Sequence, residues 1–137
     1  MGIVEAEITL KNAGDVINVG RGIIPEGQVR QITVQSVVDT GAATLIINEK
    51  VCQMLGLQTR GIKQARMAND TREAVRIVET VEVHWKNRSM TCQPWVIDDS
   101  TEILLGAIPL EDMDLIIDPS KQELAGAHGE EMIGILY

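Results

Sequence analysis

The chain has 137 residues, 45% hydrophobic and 23% charged, which is enough for one domain with a buried core and excludes a disordered chain. Its net charge of −8 excludes the basic footprint of a nucleic-acid binder. No run approaches the roughly 18 apolar residues of a membrane span. The N-terminus lacks a basic start followed by an apolar stretch, so a cytoplasmic location is expected.

Phenylalanine is absent and the aromatics are Trp85, Trp95 and Tyr137, so the core must be built from Val, Ile, Leu and Met. Branched aliphatics favour strands. Ile3 to Leu10 alternates, with Val4, Ala6, Ile8 and Leu10 on one side, and predicts a strand with one wet face. Asn12 to Gly27 is rich in turn residues and reads as a loose hairpin or long surface loop. Gln31 to Val38 predicts a second strand with Ile32, Val34 and Val38 inward, and Asp39-Thr40-Gly41-Ala42 follows where it ends. Thr44 to Ile47 reads as a buried strand. Asn48 is placed to cap a helix from Glu49 to about Leu55 that Gly56 ends.

Gly61 to Ala68 predicts a strand, Asn69-Asp70 a tight hairpin turn, and Glu73 to Lys86 one long returning strand. Asn87-Arg88 reads as a turn and Ser89 to Ile97 as the next strand, with Pro94 at an edge or bulge. Asp98-Asp99-Ser100 reads as a further turn, and Ile103 to Leu105 as a buried strand ending at Gly106. Pro109 suits the first turn of a short helix, with Glu111 and Asp112 assigned to its N-terminus. Leu115 to Ile117 is a strand stopped by Asp118-Pro119. The segment Glu131 to Tyr137 is too apolar for a loose end and is expected to pair within the fold or across a dimer. The expected architecture is one all-β domain over residues 1–137 with one or two short helices.

Asp39 is the residue around which chemistry can be built. Val37 and Val38 bury the strand end, the carboxylate sits where the backbone turns, and Gly41 can take φ values closed to other residues. A carboxylate held this way suits general acid–base work. The word Asp39-Thr40-Gly41-Ala42, the strand Leu45-Ile46-Ile47, the hairpin at Ala68-Asn69-Asp70 and the later Leu104-Leu105-Gly106 before a short helix occur in a fixed order. This order resembles the retropepsin-like (retroviral-type) aspartic proteases, in particular their small soluble prokaryotic members, over about residues 2–124.

The resemblance implies a closed β-barrel and an aspartic endopeptidase without metal or other cofactor. It implies Asp39 as the catalytic acid, Thr40 as the hydroxyl that grips a partner's backbone, and Gly41 as the site of close backbone approach. Ala42, the flap residues Met67, Ala68, Asn69 and Asp70, and the element Leu105-Gly106 behind the loop are implied to form the substrate site. Two carboxylates are needed, and Asp-Thr-Gly occurs once in the chain, so a homodimer acting on an extended peptide or protein substrate is expected. The flap tip Asn69-Asp70-Thr71 lacks the glycine common in such chains, which implies a stiffer or differently shaped flap. The competing reading is a catalytically silent dimer of this fold that binds peptides or assembles a partner.

Other features read as structural. Gly20-Arg21-Gly22 is not followed by a helix and does not make a phosphate loop. His84 and His128 lack the clustered partners of a metal site. Cys52 and Cys92 match no metal spacing, and Cys52 suits a small buried hydrophobe. Trp85 and Trp95 are expected to pack as a pair on adjacent strands, with a place in a substrate pocket or dimer contact as the alternative.

Overall fold

A computed structural model describes residues 2–97, 102–134 and 136. Alternation builds the first ladder. Strand β1 (Glu5–Asn12) follows Val4 and buries Ala6, Ile8 and Leu10 on one face. It runs antiparallel to β2 (Gln31–Val38), from Glu5 opposite Val37 to Lys11 opposite Gln31. The fully buried Ser36 is satisfied by donating its hydroxyl to Ala6 O at 2.8 Å.

The segment read as a loop after β1 instead begins with helix α1 (Ala13–Gly20). Asn12 makes it: its Oδ1 accepts from Asp15 N at 3.1 Å and its Nδ2 donates to Leu55 O at 2.8 Å. The Asp15 carboxylate accepts from Arg30 N, Nε and Nη2 at 3.0, 2.8 and 3.0 Å. The Arg30 side-chain hydrogen bonds hold the Asp15 carboxyl below its ordinary 3.8, against the opposing effect of burial. A folded-state pKa depressed in this way stabilises the fold above the unfolded value and loses that contribution as pH falls through the folded one. Thermal melting should therefore show Asp15→Asn less stable than the parent above about pH 4, with the gap narrowing in stronger acid. An unchanging gap would mean that Asp15 acts only as a hydrogen-bond acceptor.

The remaining strands form one curled sheet. After β3 (Leu45–Ile47) comes helix α2 (Glu49–Leu55), bounded as its sequence predicts: Asn48 Oδ1 accepts from Val51 N at 2.9 Å and Gly56 takes φ 64°. Strands β4 (Thr59–Arg66) and β5 (Arg72–Val78) make the expected hairpin. The single long strand expected from Glu73 to Lys86 is divided. Strand β6 (Val81–Trp85) starts after a break at Glu79-Thr80, where Glu79 N donates to Gln58 O and Ala13 N donates to Thr80 O. These distant backbone partners redirect the chain, so β5 pairs with β4 and β8 whereas β6 pairs with β1 and β7.

Strands β7 (Arg88–Cys92) and β8 (Trp95–Val96) replace the one return strand, separated at Gln93-Pro94. The β6–β7 turn is Lys86-Asn87, with Lys86 at φ 50°. Arg88 is not a turn residue but a buried strand residue opposite Trp85. The order is completed by β9 (Ile103–Leu105) and runs β4-β5-β8-β3-β9-β2-β1-β6-β7, curling into a half-barrel around an aliphatic core.

Helix α3 (Ala107–Asp112) is present, but Glu111 and Asp112 lie in its last turn rather than at its N-terminus. Strands β10 (Leu115–Asp118) and β11 (Glu123–Gly126) form a separate ribbon, and β11 was not expected from sequence. There are thus three short α-helices where one or two were expected. Trp85 and Trp95 are not neighbours: β6 and β8 lie on opposite sides of β3, β9, β2 and β1 in the sheet order. The turn expected at 98–100 lies outside the described residues. In the final segment Met132, Ile133 and Leu136 are exposed, so they do not pack within this protomer.

Candidate active site

Three strand ends converge on Asp39. Strand β2 is parallel to β9, with Val38 opposite Leu105, and β3 is antiparallel to β9, with Leu45 also opposite Leu105. Asp39 N donates to Leu105 O at 3.0 Å and Ala42 N donates to Asp39 O at 3.1 Å, which closes the loop as a tight turn. Gly41 N donates to Asp39 Oδ1 at 2.9 Å. This hydrogen bond fixes the carboxylate rotamer.

The glycine at 41 serves close approach rather than an unusual φ: it is not among the residues at positive φ, and a Cβ there would sit 3.1 Å from Asp39 Oδ1. The loop is also tied to α3, since Ala107 N donates to Ala42 O at 2.8 Å and Ile108 N to Ala43 O at 3.0 Å. Gly106 is required by space: a Cβ there would lie 2.3 Å from Thr44 O and 2.5 Å from Ala42 O.

A cleft of about 430 Å³ opens over this loop. Asp39, Gly41 and Ala42 line its floor, and Met67 and Ala68 of the β4–β5 hairpin line it from the other side. Asn69 and Asp70 do not line it. They form the exposed hairpin tip, where Asp70 takes φ 65° and Asn69 Oδ1 accepts from Thr71 N and Oγ1 at 3.2 and 2.6 Å. Asp and Asn tolerate such turns without glycine.

Thr40 is exposed and lies outside the cleft lining. Leu105 and Gly106, expected to touch substrate, do not line the cleft either: Leu105 is fully buried beneath the loop and Gly106 is packed against its carbonyls. They position the loop from behind. Trp95 lines the cleft, the alternative given for it from sequence, whereas Ile97, Lys63 and Ile46 were missed as cleft residues. For Trp95, the period-2 pattern around Pro94 was the available signal, but the strand's neighbours were not legible.

Other reactive groups lie elsewhere. His84 Nε2 is 2.8 Å from Glu82 Oε1 and His128 Nδ1 is 2.6 Å from Asp114 Oδ2. Among the described residues no three metal-ligating side chains converge. Cys52 and Cys92 are not joined in a disulfide, and burial pushes the Cys92 thiol up to about 11, so it stays protonated and unreactive near neutrality. Among the described residues, the ionisable groups of the cleft are the Asp39 carboxylate and the cations Lys63 and Arg66.

A family model described as "gag-polyprotein putative aspartyl protease" matches residues 8–112, from β1 through α3 and across the whole Asp39 loop. The chain belongs to this family of retropepsin-like aspartic proteases. The family match thus contains the candidate acid, the hairpin above it and the Leu105-Gly106 element behind it.

Among solved structures, the retroviral protease-like domain of Ddi1 from Leishmania major is similar at a TM-score of 0.56 and 16% identity, covering 91% of this chain and 88% of that one. This similarity shows a shared fold. A retropepsin-like aspartic protease from Rickettsia conorii aligns at a TM-score of 0.43 and 20% identity, covering 86% of this chain and 89% of that one. A comparison with curated proteins found no match. No described helix is long and apolar enough to cross a membrane.

Proposed function

We propose that this retropepsin-like chain is an aspartic endopeptidase that works as a homodimer, each protomer supplying Asp39. The observation that carries the reading is the fixed Asp39 carboxylate on the floor of a cleft beneath a hairpin, with Gly41 N–H on its Oδ1. Asp39 belongs to the chain's single Asp-Thr-Gly word. Two such carboxylates about 3 Å apart cannot both ionise and share one proton, the arrangement for which aspartic proteases are the standing example.

The ionised Asp39 takes a proton from a water molecule, which attacks the scissile carbonyl. The protonated partner Asp39 donates a hydrogen bond to the developing oxyanion. Collapse of the tetrahedral species breaks the C–N bond, and the amine leaves with a proton from the dyad. Thr40, exposed in the single chain, is covered by the partner's loop in the dimer and holds the two loops in register. The substrate lies extended between the loop and the β4–β5 hairpin, with Met67 and Ala68 above it. Leu105 and Gly106 hold the floor rigid from below.

A diverse peptide library at mildly acid pH, combined with sedimentation analysis, tests this reading. Endoproteolytic cleavage by a dimer is the expected result. A chain that stays monomeric while cutting would refute the shared site. A dimer that binds library peptides without cutting them would establish the silent-module reading instead.

A further inference from the structure

The charge of the cleft runs against that of the chain. Lys63, on β4, carries its Nζ 5.1 Å from the centre of the Trp95 ring, and both residues line the cleft that holds Asp39. Among the described residues no carboxylate pairs with the Lys63 ammonium. Its partner is an aromatic face, which leaves its hydrogen-bond donors unused. Among the described residues of the lining, Arg66 is the second cation and Asp39 the one carboxylate.

The hairpin as a whole has the same bias. Residues 59–78 contain five cations (Arg60, Lys63, Arg66, Arg72 and Arg76) against two carboxylates, Asp70 and Glu73, in a chain of net charge −8. Arg66 stands directly opposite Arg72 across the ladder, a like-charge pairing that costs stability. Asp70, 3.5 Å from Arg66 Nε, offsets it only partly because both side chains are exposed. Arg76 is paired with Glu49 and Arg60 lies outside the cleft lining, so the positive charge over the cleft is that of Lys63 and Arg66, and in an acidic protein it favours an anionic occupant there.

Resting on the reading that this cleft takes an extended peptide, we infer that it selects peptides bearing a glutamate or aspartate side chain that seats against Lys63 beside the Trp95 wall. The carboxylate replaces water on the ammonium while the adjoining aliphatic stem lies on the indole. Lys63 is thus a specificity residue, and its effect falls on the choice of substrate rather than on the hydrolytic step.

The experiment compares matched peptides carrying Glu or Gln at each of the four positions on either side of the scissile bond, with the parent, Lys63→Gln and Lys63→Glu proteins. At one position the parent should prefer Glu by about fivefold or more in kcat/KM, the scale of a single partly exposed charge pair. Lys63→Gln should abolish the preference, and Lys63→Glu should turn it toward Lys or Arg at the same position, an inversion that loss of packing cannot produce. The preference should also fade as pH falls below about 4.3, where the substrate glutamate protonates. A parent indifferent to Glu against Gln, or a Glu preference that survives Lys63→Glu, overturns the inference while leaving the protease reading intact. If the parent cuts none of the peptides, the protease reading falls. The anisotropy of the same peptides, fluorescently labelled, then decides the inference: equal binding of the Glu and Gln forms overturns it, and a Glu preference lost in Lys63→Gln supports it.

Discussion

Asp39→Asn is expected to lower kcat/KM for peptide cleavage by at least about 10³-fold, because the amide can neither accept the proton of the attacking water nor return it to the leaving amine. The change should leave the fold almost untouched, within about 0.5 kcal/mol. Asn retains a side-chain oxygen able to accept from Gly41 N, and the bond from residue 39 N to Leu105 O is made by backbone. Mixing sharpens the result. When equal amounts of parent and Asp39→Asn chains exchange subunits, random pairing leaves about one dimer in four with both acids, and activity should fall to about half that of the unmixed parent. A large excess of the variant should extinguish it. Activity that ignores added Asp39→Asn chain would mean that each chain carries a complete site.

The second large effect concerns Arg88. Its guanidinium is buried among carbonyls: Nη1 donates to Met113 O at 2.8 Å and to Asp114 O at 2.7 Å, and Nη2 donates to Gly129 O and, at 3.2 Å, to Glu131 O. One side chain thus joins β7 to the end of α3 and to the segment after β11. Arg88→Met keeps much of the stem volume but leaves those carbonyls unsatisfied, so a loss of about 3 kcal/mol is expected. For a chain of this length that is about 10 °C in melting temperature. Arg88→Lys should fall between, since one ammonium cannot span all four acceptors. A shift below about 2 °C for Arg88→Met would show that water substitutes for the guanidinium.

The sequence was legible where local chemistry decides the outcome. Asn48 and Gly56 bracket α2 because capping is a short-range event. The Asp39 turn, the β4–β5 hairpin and β9 follow from apolar runs that end in acids, amides or glycine. It was illegible where distant partners decide. Gly14 and Gly20 suggest turns, yet Asn12 and Asp15 form a helix start because Arg30 and Leu55 O await them across the fold. Nothing local marks the break at Glu79-Thr80, which is set by Gln58 and Ala13. Arg88 resembles any polar turn residue until four carbonyls from beyond residue 112 surround it. Within the candidate site, the acid and the hairpin could be read from motif order. Lys63 and Trp95 could not, because their meeting depends on β8 lying between β5 and β3.

The Asp39 loop and the hairpin above it are fastened in different ways. Backbone bonds from Asp39 to β9 and from α3 to Ala42 and Ala43, together with the lack of room at Gly106, clamp the floor from two sides. The hairpin tip is held by its own ladder and by the bond from Met67 N to Thr71 O. Opening the cleft therefore requires no bond of the floor to break. Admission of a substrate and placement of the acid are energetically separable, so evolution can alter the tip, even to a glycine-free Asn69-Asp70, without disturbing the carboxylate. Amide exchange should register this as slow protons at Asp39 and Ala107 beside fast ones at the hairpin tip.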